Sequence, residues 1–280
     1  MRSVCSPILV GERAVWRRAG WSPALGPILD TRLAVVAPKF GAPTAAAGRL
    51  SFGALTVALK ALARGLAKGL VTAPISKKAW DLAGVPFRDH TEWLRAETGA
   101  DGQMILGAPA RGLWSCLVTR HIPLSQVSSK LTPTAVASAC RALDAALRAL
   151  GSARPRLGLC GFNPHAGEEG LLGREESGPL LSALTGLRKT RLSIEGPIAA
   201  DTAWRLHAKG ELDGLVALYH DQALIPLKTA AGLSIVNWTV GLPFVRTSPG
   251  HGTGFDIAGK REPDPSATAE AIRLAARLAR

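Results

Sequence analysis

The sequence predicts an α/β fold built on a largely parallel sheet. Three observations predict it. Short apolar, β-branched runs alternate with longer stretches of helical periodicity. The 30 glycines and 19 prolines are scattered without a period, as short turns between elements require. The polar loops fall at the ends of the predicted strands, where open α/β sheets bind ligands. At 280 residues the chain makes one large domain or two small ones.

In chain order, apolar runs predict strands at 7–10 and 32–37. Helical spacing predicts a helix over 51–68, and strands follow at 69–73 and 113–119. The helix over 133–150 is the most fully specified. Val136, Ala139, Cys140, Leu143, Ala146, Leu147 and Leu150 recur three and four residues apart on one face, with Arg141, Asp144 and Arg148 elsewhere. Thr132 before Pro133 supplies a cap and a proline first turn, and Gly151 ends the helix. Strands at 156–161, 214–219 and 233–240 alternate with a helix at 200–209, and 266–280 predicts a final helix.

Composition excludes several classes. Apolar residues make up 47% and charged residues 20%, which excludes a disordered chain. The net charge of +13 comes from scattered arginines, without a run of basic residues. With one tyrosine for stacking, nucleic-acid binding is disfavoured and a small anionic substrate fits equally well. Cys5, Cys116, Cys140 and Cys160 form no C-x-x-C pair, so buried free thiols and a reducing cytoplasm are expected. The start does not read as a signal peptide, and no apolar stretch of membrane-spanning length is expected.

Chemistry is concentrated in six polar loops: 72–77, 89–92, 119–124, 161–168, 219–228 and 237–253. They hold five of the six histidines, His90, His121, His165, His220 and His251, whereas His207 sits in an ordinary helical pattern. His121, His165 and His220 each follow a predicted strand, so one sheet edge can gather three imidazoles around a divalent metal with positions left open for substrate. The alternative is that each is structural or merely exposed. Lys228, Asn237 and Arg246 form a second set, suited to a phosphate or carboxylate, or else ordinary loop polarity. A G-x-G-x-x-G turn between strand and helix is absent, so any nicotinamide cofactor binds outside the Rossmann mode.

Seven stretches carry a more specific signal: VTAPISK (71–77), DHTEWL (89–94), TRHIPL (119–124), CGFNPHAGEEGLLGREE (160–176), GPIAADT (196–202), YHDQALIPLK (219–228) and VNWTVGLPFVRTSPGHGTGFDIAGK (236–260). In sequence and order they resemble the 4-hydroxythreonine-4-phosphate dehydrogenase family of pyridoxal phosphate biosynthesis, from about residue 70 to the end. HGTGFDIAGK also resembles the cofactor loop of the isocitrate and isopropylmalate dehydrogenases, which share that family's fold.

The resemblance implies two α/β/α lobes of the isocitrate/isopropylmalate dehydrogenase-like type with the active site in the cleft between them. One lobe would comprise 1–88 with 259–280, the other 89–258. It implies a cytoplasmic homodimer with shared active sites, so that one metal ligand can come from the other subunit, and neither nucleic acid nor membrane as partner. A divalent ion (zinc, magnesium or cobalt) would be held by His121, His165 and His220. His90, Thr91, Lys228, Asn237 and Arg246 would contact substrate, with Lys228 and Asp221 as catalytic groups. NAD would lie at His251, Gly252 and Thr253. The implied reaction oxidises 4-phosphooxy-L-threonine and decarboxylates the β-keto acid to 3-amino-2-oxopropyl phosphate.

Two departures stand out. Asp89 replaces a family glycine beside His90. The chain begins at MRSVCSPILVGERAV, which resembles the segment after the family's Gly-Asp-Pro-Ala-Gly-Ile-Gly motif, so a first strand–helix unit is expected to be missing and stability and activity to be low. The alternatives are a paralogue acting on a related phosphorylated four-carbon hydroxy acid or a dihydrodiol, and a non-catalytic degenerate copy.

Overall fold

The computed structural model describes residues 4–33, 38, 40–260 and 262–280. In chain order the elements are β1 (Leu9–Gly11), α1 (Arg13–Arg18), β2 (Ile28–Asp30), α2 (Ala45–Ala63), β3 (Gly69–Val71), α3 (Lys77–Leu82) and α4 (His90–Thr98). Then come β4 (Gln103–Ala108), β5 (Leu113–Leu117), α5 (Val127–Lys130), α6 (Pro133–Ala149), β6 (Arg156–Cys160), α7 (Leu181–Leu187), β7 (Ser193–Ile198), α8 (Ala200–Ala208), β8 (Gly214–Ala217), α9 (His220–Ala231) and β9 (Val236–Val240). The last are β10 (Val245–Pro249) and α10 (Ser266–Leu278). The fold is α/β with mostly parallel strand pairs flanked by helices. Of the strand expected at 32–37, residues 34–37 lie outside the described residues.

The chain divides into two compact units, 1–102 with 242–280, and 103–241. The sequence reading put the divisions after 88 and 258. Helix α4 belongs to the first unit because its Trp93 and Leu94 are buried in that unit's core.

In the first unit β1 pairs with β2, and β3 with β10, all parallel. The core gathers Leu55, Ala58, Leu70, Trp80, Trp93 and Leu94, with Phe52 edge-on to both tryptophans. Helix α2 starts earlier than expected because the Thr44 hydroxyl accepts from the Ala47 N–H (3.1 Å), and it ends before Gly65, at φ +72°. At Gly48 it meets α3 so closely that a Cβ would stand 2.0 Å from the Ala79 carbonyl oxygen. By length and composition α2 is, among the described residues, apolar enough to cross a membrane, which the sequence reading did not expect. Its Leu55 and Ala58 face this core.

In the second unit the strand order is β9-β4-β5-β8-β6-β7. β4 is antiparallel to β9 and β5, while β5, β8, β6 and β7 run parallel. The adjacent strands β5, β8 and β6 therefore send their carboxyl ends, and the loops bearing His121, His220 and His165, to one edge. Helix α6 covers the sheet with the predicted face: Val136, Ala139, Cys140, Leu143, Ala146 and Leu147 are buried, and Thr132 accepts from the Ala135 N–H (3.2 Å). All four cysteines are free; Cys116, Cys140 and Cys160 are buried, and burial pushes the Cys116 and Cys160 thiols up to about 12.

Candidate active site

The first unit holds Arg246 of the anion-binding set, with His90 and Thr91. Strand β10 carries Arg246, only 3% exposed, beside β3. Its Nη2 donates to the Thr72 hydroxyl (2.7 Å) and lies 3.3 Å from His90 Nδ1. With the guanidinium donating, His90 Nδ1 is the acceptor and its proton sits on Nε2. Burial, reinforced by the Arg246 charge and opposed by Asp89, pulls the His90 pKa down to about 3, so the imidazole is neutral. Burial also lowers Arg246 to about 10, with Asp89 opposing, and the side chain stays cationic near neutral pH.

Asp89 has a structural role. It caps α4, accepting from the Glu92 N–H (3.0 Å), while the Glu92 carboxylate reaches back to the Arg88 N–H (2.6 Å), one residue before the cap. Thr91 is half-buried in the first turn of α4. His251 Nδ1 lies 2.9 Å from the Gly252 carbonyl oxygen, and Gly252 and Thr253 are exposed.

The second unit holds the metal-ligand candidates. The rings of His121 and His220 lie 5.7 Å apart between centroids. Two imidazoles on one tetrahedral ion, with metal–nitrogen bonds of about 2.0–2.1 Å, require a similar spacing. His220 Nδ1 is 2.7 Å from the Asp221 carboxylate, which orients the ring and leaves Nε2 to face a ligand. His165 does not join them: among the described residues no group of three or more His, Cys, Asp or Glu forms a metal site. It is exposed, at the start of a left-handed run in which His165, Ala166, Glu168 and Glu169 all have positive φ. Such a run is costly for non-glycine residues and has to be held from outside. The buried Glu176 anchors the segment that leads into it, accepting from the N–H groups of Phe162 (2.8 Å) and Asn163 (2.7 Å) and from Asn163 Nδ2 (2.9 Å). The imidazole pair and its carboxylate fit a divalent ion as partial donors.

Asn237, on β9, stands opposite Leu106 and so shares its face of the sheet, the face packed by Ala223, Leu224 and Leu227 of α9. Its Oδ1 is buried without a hydrogen-bond partner, as a ligand-binding amide would be. Lys228 is exposed in the last turn of α9. His207 is structural: its Nε2 accepts from the Trp114 N–H (2.9 Å), its Nδ1 donates to the Leu212 carbonyl (2.8 Å), and burial lowers its pKa.

The sequence alone does not single out Thr72, Glu176 or Gln222. Glu176 and Gln222 follow the histidines in the quoted stretches, Glu176 just before α7 and Gln222 in the first turn of α9.

An enzyme class follows from these loops. Beyond the ends of parallel strands they bring cations and imidazoles to bear, as an α/β enzyme of small anionic substrates needs. Comparison with known proteins narrows the class. Residues 4–275 match the family described as "Pyridoxal phosphate biosynthetic protein PdxA", and the chain belongs to that family.

The 4-hydroxythreonine-4-phosphate dehydrogenase of Synechococcus sp. (strain RCC307) is 40% identical, covering 99% of this chain and 92% of the relative. The crystal structure of 4-hydroxythreonine-4-phosphate dehydrogenase from Klebsiella pneumoniae superposes with a TM-score of 0.83 at 36% identity, covering 92% of this chain and 78% of that one. A terephthalate 1,2-cis-dihydrodiol dehydrogenase from Burkholderia xenovorans LB400 gives a TM-score of 0.68 at 31% identity, covering 96% and 89%. The chain is an oxidoreductase of this dehydrogenase family.

Proposed function

We propose that the chain oxidises 4-phosphooxy-L-threonine with NAD and releases carbon dioxide, yielding 3-amino-2-oxopropyl phosphate for pyridoxal 5'-phosphate biosynthesis. The observation that carries this reading is the buried Arg246, joined to Thr72 and to a neutral His90, in a chain similar to named 4-hydroxythreonine-4-phosphate dehydrogenases. A guanidinium fixed in this way offers an oriented charge to phosphate or carboxylate.

Arg246, His90 and Thr91 bind one anionic end of the substrate, with His90 holding a proton on Nε2 as a donor. In the second unit, Lys228 is the cation suited to an anionic substrate group, and the Asn237 amide is suited to a polar one. The secondary alcohol loses a hydride to NAD and a proton from oxygen, and a ketone forms. The β-keto acid then loses carbon dioxide: the bond to the carboxylate breaks, its electron pair forms an enolate, and the enolate is protonated at carbon. His121, His220 and His165 would hold the divalent ion, which supplies Lewis acidity toward the substrate oxygen when bound. Imidazole donors favour zinc or cobalt over magnesium there. Asp221 keeps the His220 ring oriented. In a homodimer His165 can serve the partner's ion. NAD is bound at His251, Gly252 and Thr253.

The likeness to a cis-dihydrodiol dehydrogenase supports a second reading, a non-phosphorylated diol substrate. The two are separated by following NADH with each substrate on zinc- or cobalt-loaded protein. Turnover of the phosphorylated amino acid alone is expected, and turnover of the dihydrodiol alone would replace the first reading with the second.

A further inference from the structure

We infer that Gln222 is a positioning residue whose side-chain amide sets the three histidine-bearing loops of the second unit against one another. This rests on the reading of His121, His165 and His220 as metal ligands. Pairing between β6 and β8 stops at Leu159 and Val216. Beyond that point the strands part to release their loops. They leave the Leu218 N–H and the Gly161 carbonyl facing the gap. Gln222 bridges it: its Oε1 accepts from the Leu218 N–H (2.7 Å) and its Nε2 donates to the Gly161 carbonyl (2.7 Å). One buried amide thus continues the ladder where backbone pairing ends, tying the turn before His220 to the turn before His165.

The third loop joins at the same residue. The Leu218 carbonyl accepts both the N–H (3.1 Å) and the hydroxyl (2.7 Å) of Thr119, two residues before His121. Gln222 is itself locked. Pro226 has no N–H to give the Gln222 carbonyl four residues back. Trp204 Nε1 donates to that carbonyl instead, at 2.8 Å. Backbone and side chain of Gln222 are both fixed, two residues after His220. A bracket of this kind holds ligand-bearing loops to the tolerance that a metal site requires.

The test measures zinc affinity by competition with a chromogenic chelator, the cobalt absorption spectrum, and the thermal midpoint. The proteins are wild type, His220→Ala, Gln222→Met and Gln222→Glu. Gln222→Met keeps the length and loses both bonds. Gln222→Glu keeps the acceptor for Leu218 and carries the test if the Met protein does not fold. With His220→Ala abolishing binding, the Gln222 variants are expected to bind zinc about 10–100-fold more weakly and to change the cobalt spectrum. A lowered thermal midpoint with wild-type zinc affinity and an unchanged cobalt spectrum would make Gln222 merely structural and overturn the inference alone. Zinc binding unaffected by His220→Ala, or no zinc binding by wild type, would overturn the metal reading and this inference with it.

Discussion

Acidification should destabilise the first unit through His90. Its pKa falls from 6.5 to about 3 on folding, because the ring is buried and stands beside the Arg246 guanidinium. The unfolded chain therefore takes up the proton first. Stability from this residue is whole above the unfolded pKa and is lost as pH falls below it, until the folded pKa is reached. With those two values, pH 5 costs about 2 kcal/mol relative to pH 7.5. At about 2–4 °C per kcal/mol for a chain of this size, the thermal midpoint falls by about 4–8 °C. Other groups titrate over the same range, His207 among them, so the measurement is a difference. His90→Asn retains an acceptor for Arg246 Nη2 and cannot titrate. Midpoints are recorded at both pH values for wild type and variant. Wild type should lose about 2 kcal/mol more than His90→Asn on acidification. Equal losses would show that the buried imidazole charges without penalty and would refute the reasoning.

Three further outcomes are expected. Arg246→Lys keeps the charge but not the fork, so KM for the phosphorylated substrate should rise by about tenfold or more in steady-state assays; an unchanged KM would remove Arg246 from the anion site. Gly252→Val should weaken NAD binding in fluorescence titration while leaving zinc affinity and the thermal midpoint alone, because a Cβ at Gly252 meets nothing within 4 Å and the cost falls on the ligand. Gly48→Ala should destabilise the protein by about 1–3 kcal/mol, read as a lowered thermal midpoint, since its Cβ would drive α2 off the Ala79 backbone; an undisturbed midpoint would mean that α2 shifts freely.

Legibility in the sequence followed burial. Helix α6 and strands β5, β6 and β8 were readable because one-sided or continuous apolar patterns specify them. β10 was not, because it reads as a polar loop. Yet Thr247 is buried and its hydroxyl donates to the Ala271 carbonyl of α10 (2.8 Å), while its own carbonyl accepts from the Thr72 N–H (3.0 Å). Helix α9 was hidden by its His-Asp-Gln start and by Pro226, whose missing bond the Trp204 indole replaces. In the candidate site, histidines and arginine could be found by residue type and position after strands. Gln222 and Glu176 could not, since their role lies in hydrogen bonds to backbone groups that sequence does not locate. The left-handed conformation at His165 was equally hidden, because non-glycine residues adopt it only under such external constraint.

The central claim is the coupled oxidation and decarboxylation of a phosphorylated hydroxy amino acid. Its most direct measurement supplies zinc-loaded protein with NAD and 4-phosphooxy-L-threonine labelled in the carboxyl carbon, and follows NADH and labelled carbon dioxide together. The account predicts both, in equal amounts, and neither from Arg246→Ala at the same substrate concentration. NADH without labelled carbon dioxide would contradict the decarboxylation, and no NADH from the loaded wild type would contradict the assignment itself.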